Sequence, residues 1–355
     1  MATSVYIHIP FCKSKCKYCS FVSFPTLDKK QEYLDALKKE ISHYYNNEQL
    51  KTLYFGGGTP SLLEVNEFEE LLKLFNINSD TEITVELNPE TLTQEYLNGL
   101  KSIGINRISL GCQTFNDEIL KLIGRRHNSQ QVKDAINFAK TTGFKNISID
   151  FIYGLPTQTI ESFADDLKQA LDLNIQHISL YGLKIDDGCY FYNQIPNNLP
   201  NEDTQADMYL KAIEILKDFN HYEVSNFGKP SQHNLNYWNN KNYYGFGVAA
   251  HGYIDNIRYS NIETIEDYIQ TPTKHANETE LTKQEQLEEE IFLGLRKLNG
   301  LNIAYINKTY NIDFETKYTN ILKKYDEYFE KTDHGYKFNT QGILISNSIL
   351  SEFLE

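Results

Sequence analysis

Three cysteines stand close together near the start of the chain, Cys12, Cys16 and Cys19, with the spacing C-x3-C-x2-C. Soft thiolates favour iron–sulfur clusters, zinc or copper. A cluster that only carries electrons normally has a cysteine for every iron. A tight set of three leaves one iron of a 4Fe-4S cluster without a protein ligand, which is the open position a reactive metal needs. S-adenosylmethionine can fill it with its amino and carboxylate groups. An electron from the reduced cluster would then cleave the sulfonium and release a 5′-deoxyadenosyl radical. The competing readings are a structural zinc site completed by His8, or cysteines that merely pack. The five cysteines are odd in number and clustered. That does not suit a disulfide framework and points to a reducing compartment. Cys112 and Cys189 read as small buried hydrophobes rather than ligands.

The triad needs elements to hold it. Short β-rich runs at Val5–Ile9, Lys51–Phe55, Glu82–Leu87, Asn106–Leu110, Asn146–Tyr153 and His177–Leu183 alternate with helical patterns. Leu34, Leu37 and Ile41 share one helical face, as do Phe68, Leu71, Leu72 and Phe75. Repeated β/α units imply a parallel sheet with helices outside, open or closed into a partial barrel. In such folds ligands bind after the C-terminal ends of the strands. The cysteine loop follows the first strand. Gly56-Gly57-Gly58-Thr59-Pro60 follows the second, where glycine allows close approach and free N–H groups could meet a ligand carboxylate. Glu86 ends the third strand, Gln113 follows the fourth, Arg125 lies on the helical stretch after it, and Asp150 lies in the fifth.

YIHIPFCKSKCKYC, from Tyr6 to Cys19, resembles the opening of the radical-SAM family that contains oxygen-independent coproporphyrinogen III oxidases and heme chaperones. The resemblance runs into the C-terminal part of the chain. It implies an α/β fold: a radical-SAM partial (β/α)6 barrel with parallel strands, plus a smaller, mostly helical C-terminal domain. It also implies that Cys12, Cys16 and Cys19 hold the cluster. Tyr6, Gly57, Gly58, Thr59, Pro60, Glu86, Gln113, Arg125 and Asp150 would contact one S-adenosylmethionine or a second beside it.

Three features separate the two kinds of relative. The oxidase pattern has a further cysteine two residues after the third ligand; here that residue is Phe21. The oxidase has a longer segment before its first strand, whereas Cys12 arrives early here. His233-Asn234-Leu235-Asn236-Tyr237-Trp238 resembles the HNxxYW motif of the heme chaperones. Histidine can bind heme iron axially, and Tyr237 and Trp238 offer flat apolar faces. By residue type alone these could equally be core packing. Lys13 and Cys112 depart from the chaperone pattern without breaking the site. His251, in a GxGAHG-like stretch, could line the cavity and receives no role.

The resemblance therefore implies a radical-SAM heme chaperone that binds heme or a related porphyrin and hands it to a recipient protein such as a membrane cytochrome. The alternative is an oxidase that decarboxylates coproporphyrinogen III, and an unrelated radical-SAM substrate is a third reading. The divisions expected are 1–185 for the radical-SAM core, 186–278 for an extension carrying the heme-site candidate, and 279–355 for the C-terminal domain. The last boundary is set by the polar run Thr273–Thr279. The 355 residues carry a net charge of −14. That argues against a nucleic-acid backbone as partner. No run is long and apolar enough to span a membrane, and Met1–Ser4 begins no signal peptide. These features predict a cytoplasmic protein with at most peripheral membrane contact.

Overall fold

Side chains alternate along the parallel strands in a way that explains the architecture. Val5, Ile7 and Ile9 are fully buried, as are Leu53, Phe55, Val85, Ile108 and Leu110, and they join one apolar core with the surrounding helices. The residues between them, among them Tyr6, Tyr54, Glu86, Ser109, Asp150 and Ser179, face a shared cavity. A strand's period of two puts these sets on opposite faces. The sheet therefore curls with its polar face inward and its apolar face against helices.

The computed structural model describes residues 3–354; Met1, Ala2 and Glu355, at the ends of the first and last expected divisions, lie outside the described residues. The core runs β1 Ser4–Ile9, α1 Lys30–Tyr44, β2 Thr52–Gly57, α2 Val65–Leu72, β3 Glu82–Leu87, α3 Gln94–Ser102, β4 Arg107–Gln113, α4 Asp117–Leu122, α5 Ser129–Thr142, β5 Ile147–Tyr153, α6 Ile160–Asp172 and β6 His177–Gly182. Strands β1 to β6 pair in sequence order, each parallel to the next. The core helices lay their apolar faces on the sheet: α1 buries Leu34, Leu37 and Ile41, and α2 buries Phe68 and Leu71. Each such side chain contributes roughly 1.5–3 kcal/mol.

The next segment, rich in Asn and Tyr, extends the same sheet. It contains α7 Tyr190–Asn193, α8 Glu202–Ile215, β7 His221–Glu223, β8 Asn226–Gly228, α9 Gln232–Trp238 and β9 Tyr244–Phe246. β9 pairs parallel with β1; β8 pairs antiparallel with β6 and carries β7 outside it. Among the described residues the sheet has nine strands. These added strands are only three residues long, too short for alternation to reveal them. Strands β10 His251–Ile254, β11 Ile257–Asn261 and β12 His275–Glu280 form a second, antiparallel sheet, with α10 Ile265–Gln270 between the last two.

From α11 Lys283–Leu295 onward a separate core gathers Leu287, Ile291, Ile306, Phe338 and Phe353. Strands β13 Leu301–Asn302, β14 Phe329–Thr332 and β15 Gly335–Phe338 form a small sheet against short helices. β15 ends at Phe338. Asn339 caps a helix at Thr340–Leu344 by accepting the Gly342 N–H (2.9 Å). Helix α8 starts at Glu202, because Asn201 caps it through the Thr204 N–H (2.8 Å).

Candidate functional site

The cysteine loop is fixed at several points. Cys12 N–H donates to Phe24 O (3.0 Å) and Phe24 N–H donates to Pro10 O (2.7 Å), so the loop returns to the end of β1. Lys17 N–H donates to Ile123 O (2.9 Å), and Phe191 N–H donates to Lys17 O (2.9 Å). Cys12, Cys16 and Cys19 are free and half-buried, while Cys112 and Cys189 are buried elsewhere. Burial pushes the Cys19 thiol up to about 11. All three border a cavity of about 630 Å³ that runs down the inside of the sheet.

The donor set fits a cluster better than one metal ion. Among the described residues no three His, Cys, Asp or Glu side chains converge to hold a single ion. In a cluster each thiolate takes a different iron, so the sulfurs must stand apart. His8 is not spare to complete a zinc site. Its Nε2 lies 2.9 Å from Val22 O, which can only accept, so Nε2 carries the proton. Its Nδ1 then accepts from the Tyr6 hydroxyl at 3.2 Å. Burial lowers its pKa to about 4, so it stays neutral.

The strand-end motifs close round the same mouth. Thr59 Oγ1 donates toward Cys12 Sγ (3.5 Å) and accepts from Asn88 Nδ2 (3.0 Å). Pro60 opens a short 3-10 turn behind it. Arg125 lies on the turn after α4, not on a helix. Its Nη2 donates to Asn88 Oδ1 (2.8 Å) and Gly111 O (2.7 Å), and its Nη1 points at Cys16 Sγ (3.6 Å). Its Nε is buried without a partner, a donor that a bound ligand could satisfy.

The glycines act differently from the expectation of free amides. Gly57 N–H donates to Glu86 Oε2 (3.2 Å), and Gly58 N–H donates to Ile9 O (2.8 Å). Close approach is what demands glycine. A Cβ on Gly58 would lie 2.7 Å from Phe11 O; one on Gly57, at φ +110°, would lie 2.5 Å from the His8 ring.

Glu86 accepts the Tyr54 hydroxyl at Oε1 (2.8 Å). Burial pushes its carboxyl up to about 7, with the Tyr54 hydroxyl opposing and the Asp150 charge assisting. Asp150 accepts from Ser109 Oγ at 3.0 and 3.1 Å. Burial raises its pKa too, against hydroxyls from Ser179 and Ser109. Gln113 sits at φ +70° on a bulge that breaks the β4–β5 register and turns its side chain to the cavity.

The expected heme motif lies at the other end. Helix α9 stops the barrel near the N-terminal ends of β1 to β3. His233 is 1% exposed. Its Nδ1 lies 2.8 Å from Thr52 Oγ1 and its Nε2 2.7 Å from Tyr237 Oη. Thr52 donates onward to Ser4 Oγ (2.9 Å). Thr52 therefore accepts from His233 Nδ1, and Nε2 accepts from Tyr237. The imidazole stacks on Tyr54 with ring centroids 4.9 Å apart. Burial, then the Arg107 charge, lowers its pKa to about 3. With both nitrogens bonded inside the protein, His233 is not presented as an axial ligand. His233, Asn234 and Tyr237 all border the cavity floor. Trp238 does not border the cavity; it hydrogen-bonds the buried Glu223 carboxylate. His251 is exposed and also lies off the cavity.

Sequence reasoning missed Arg107. It is 2% exposed, borders the cavity floor and leaves Nε without a partner. Its Nη2 lies 3.4 Å from His177 Nδ1. The signal was present in R-I-S-L-G and H-I-S-L-Y, where polar residues occupy every second position.

Comparison with known proteins follows the same division. A model of the radical SAM superfamily matches residues 6–170, and a model of the HemN C-terminal domain matches residues 281–343. The heme chaperone HemW of Lactococcus lactis subsp. lactis is 40% identical over 99% of this chain and 97% of its own length. That of Bacillus subtilis is 36% identical over 99% of both chains. Among solved structures, coproporphyrinogen III oxidase (HemN) from Escherichia coli, described as a radical SAM enzyme, superposes with a TM-score of 0.87. It is 26% identical, over 99% of this chain and 90% of that one.

Proposed function

Because this chain belongs to the heme chaperone HemW family within the radical SAM superfamily, we propose that it binds heme and delivers it to a recipient protein, with a 4Fe-4S cluster and S-adenosylmethionine as its other cofactors. The observation that carries this reading is the end-to-end match to heme chaperones, over 99% of the chain. In the proposal Cys12, Cys16 and Cys19 hold three irons. When bound, the cluster supplies one electron at a time to the S-adenosylmethionine sulfonium.

This chain's own residues prepare the place. Arg125 ties the cysteine loop to the ends of β3 and β4 through Asn88 and Gly111. Gly57 and Gly58 let β2 pass against His8 and Phe11. Neutral His8 orients the Tyr6 hydroxyl. Glu86 and Asp150 offer carboxylate oxygens to ribose hydroxyls or the ammonium group, and Thr59, Pro60 and Gln113 line the route between them. No helix among the described residues is long and apolar enough to cross a membrane. A cytoplasmic protein meeting a membrane cytochrome at the membrane surface is the setting we propose.

The likeness to HemN makes coproporphyrinogen oxidation the second reading. Phe21, at the position of the oxidase's further cysteine, weighs against it. The test is an anaerobic assay of cluster-reconstituted protein with coproporphyrinogen III, S-adenosylmethionine and a low-potential reductant, beside a hemin titration. Hemin binding without decarboxylation is expected. Protoporphyrinogen formed over many turnovers would overturn the chaperone reading.

A further inference from the structure

The cavity's interior and its mouth differ in chemistry. Glu86 and Asp150 stand inside, among tyrosine and serine hydroxyls. Arg107 and Arg125 line the interior too, so it is polar and charged throughout and disfavours a largely apolar macrocycle. At the mouth lie Phe21, 67% exposed, the exposed ring of Tyr181, whose hydroxyl turns in to Ser179, the partly exposed Leu183, and the exposed cations Lys15 and Lys184. The chain has a net charge of −14, yet Cys12 to Leu27 includes Lys13, Lys15 and Lys17 and no carboxylate. Lys15 Nζ reaches only a carbonyl, Gly188 O at 3.3 Å. Lys184 pairs with Asp186 at 3.0 Å, but its side chain is 82% exposed, so the pair is weak and free to exchange partners.

We infer that this rim, Phe21, Tyr181 and Leu183 flanked by Lys15 and Lys184, is where an iron porphyrin lies. The apolar side chains cover a face of the macrocycle, and the lysines meet its carboxylates. A flat, apolar dianion matches both halves of the rim. Neither the buried His233 nor Trp238 beside Glu223 offers such a surface. The inference rests on the heme-binding reading proposed above and moves the ligand from the floor to the mouth.

The experiment is hemin titration, followed by its visible absorption, of cluster-reconstituted protein with S-adenosylmethionine present. Phe21→Ser should weaken hemin binding roughly tenfold or more. Lys15→Glu with Lys184→Glu should weaken it by about tenfold. The same pair should bind hemin and its uncharged dimethyl ester about equally, whereas the unaltered chain prefers hemin. His233→Ala should leave affinity within about twofold. If the unaltered chain binds no hemin, the proposed function itself fails. If it binds and the rim variants match it, or His233→Ala alone abolishes binding, the rim assignment is overturned. Iron content is measured throughout. Should Phe21→Ser or Lys15→Glu lose iron, Lys184→Glu decides, because Lys184 lies outside the cysteine loop: unchanged affinity and unchanged preference over the ester overturn the assignment.

Discussion

The two ends of the barrel are built on opposite plans. At the floor, the hydrogen bonds round the histidine close on themselves: Ser4, Thr52, His233 and Tyr237 form a chain with both imidazole nitrogens used, and Arg107 Nε is the unpartnered group beside them. At the mouth, three thiols are free, Phe21 faces water and Arg125 Nε has no partner. Buried polar groups are ordinarily satisfied, so unspent bonding capacity marks where a ligand is to come. A motif can match a family's pattern and still do structural work, as α9 does in shutting the barrel.

The largest effect expected from breaking this contrast is at the mouth. Cys16→Ala removes one of the three thiolates and should abolish stable cluster assembly, seen as loss of bound iron and visible absorbance. The fold should persist, because the loop is shaped by backbone hydrogen bonds, and only the long contact from Arg125 (3.6 Å) and the Tyr18 hydroxyl reach that sulfur among the described residues. A variant that kept its full iron complement would show that another group serves as the ligand.

At the floor the same kind of change should cost stability instead. His233→Ala opens a cavity beneath Tyr54, leaves the Tyr237 hydroxyl without its acceptor and takes from Thr52 the bond it accepts, though Thr52 still donates to Ser4. A loss of roughly 3 kcal/mol is expected, with Tm lower by roughly 4 °C. Iron content should be unchanged. A variant as stable as the parent but unable to bind hemin would restore this histidine to the ligand site.

The split between the ends was only partly legible in the sequence. The six parallel strands were, because Val5-Tyr6-Ile7-His8-Ile9 and its counterparts alternate strongly. The strand-end motifs followed from the rule that parallel folds bind ligands there, and Tyr6, Thr59, Glu86, Gln113 and Asp150 do border one cavity. The floor was not legible. His233 meets Thr52, 181 positions away in sequence, and local spacing carries no information about such a contact. Nor does periodicity report that Gly57 N–H is taken by Glu86; for Arg107 it marks the inward face of the strand but not the contact with His177.

Acidity sharpens the contrast by a smaller amount. Glu86 has a folded pKa near 7, raised above its ordinary 4.5. Between those values the folded state holds the proton more tightly than the unfolded state. This group's contribution to stability is therefore full below pH 4.5, declines as pH rises to about 7, and is flat above. Glu40 and Glu223, also near 7 through burial, add the same sign. Thermal melts of cluster-free protein should show Tm falling from pH 5 to pH 8. Glu86→Gln should make that slope shallower, by a share worth roughly 1–3 kcal/mol. An identical slope in the variant would mean that Glu86 ionises freely and lies open to water.

The smallest effect separates Trp238 from heme. Its indole N–H bonds the Glu223 carboxylate, which also accepts Ser225 N–H (2.9 Å) and the Asn226 amide. Trp238→Phe keeps an aromatic ring and removes one donor from a carboxylate that retains two. The cost should be about 1 kcal/mol, a Tm shift of roughly 1–2 °C, followed by circular dichroism because this is the chain's single tryptophan. Glu223 should become harder to ionise, so the difference between variant and parent should be larger at pH 8 than at pH 5. Hemin affinity should not move. A clear loss of hemin binding with little change in Tm would put Trp238 against the porphyrin, and the floor would have to open for that to happen.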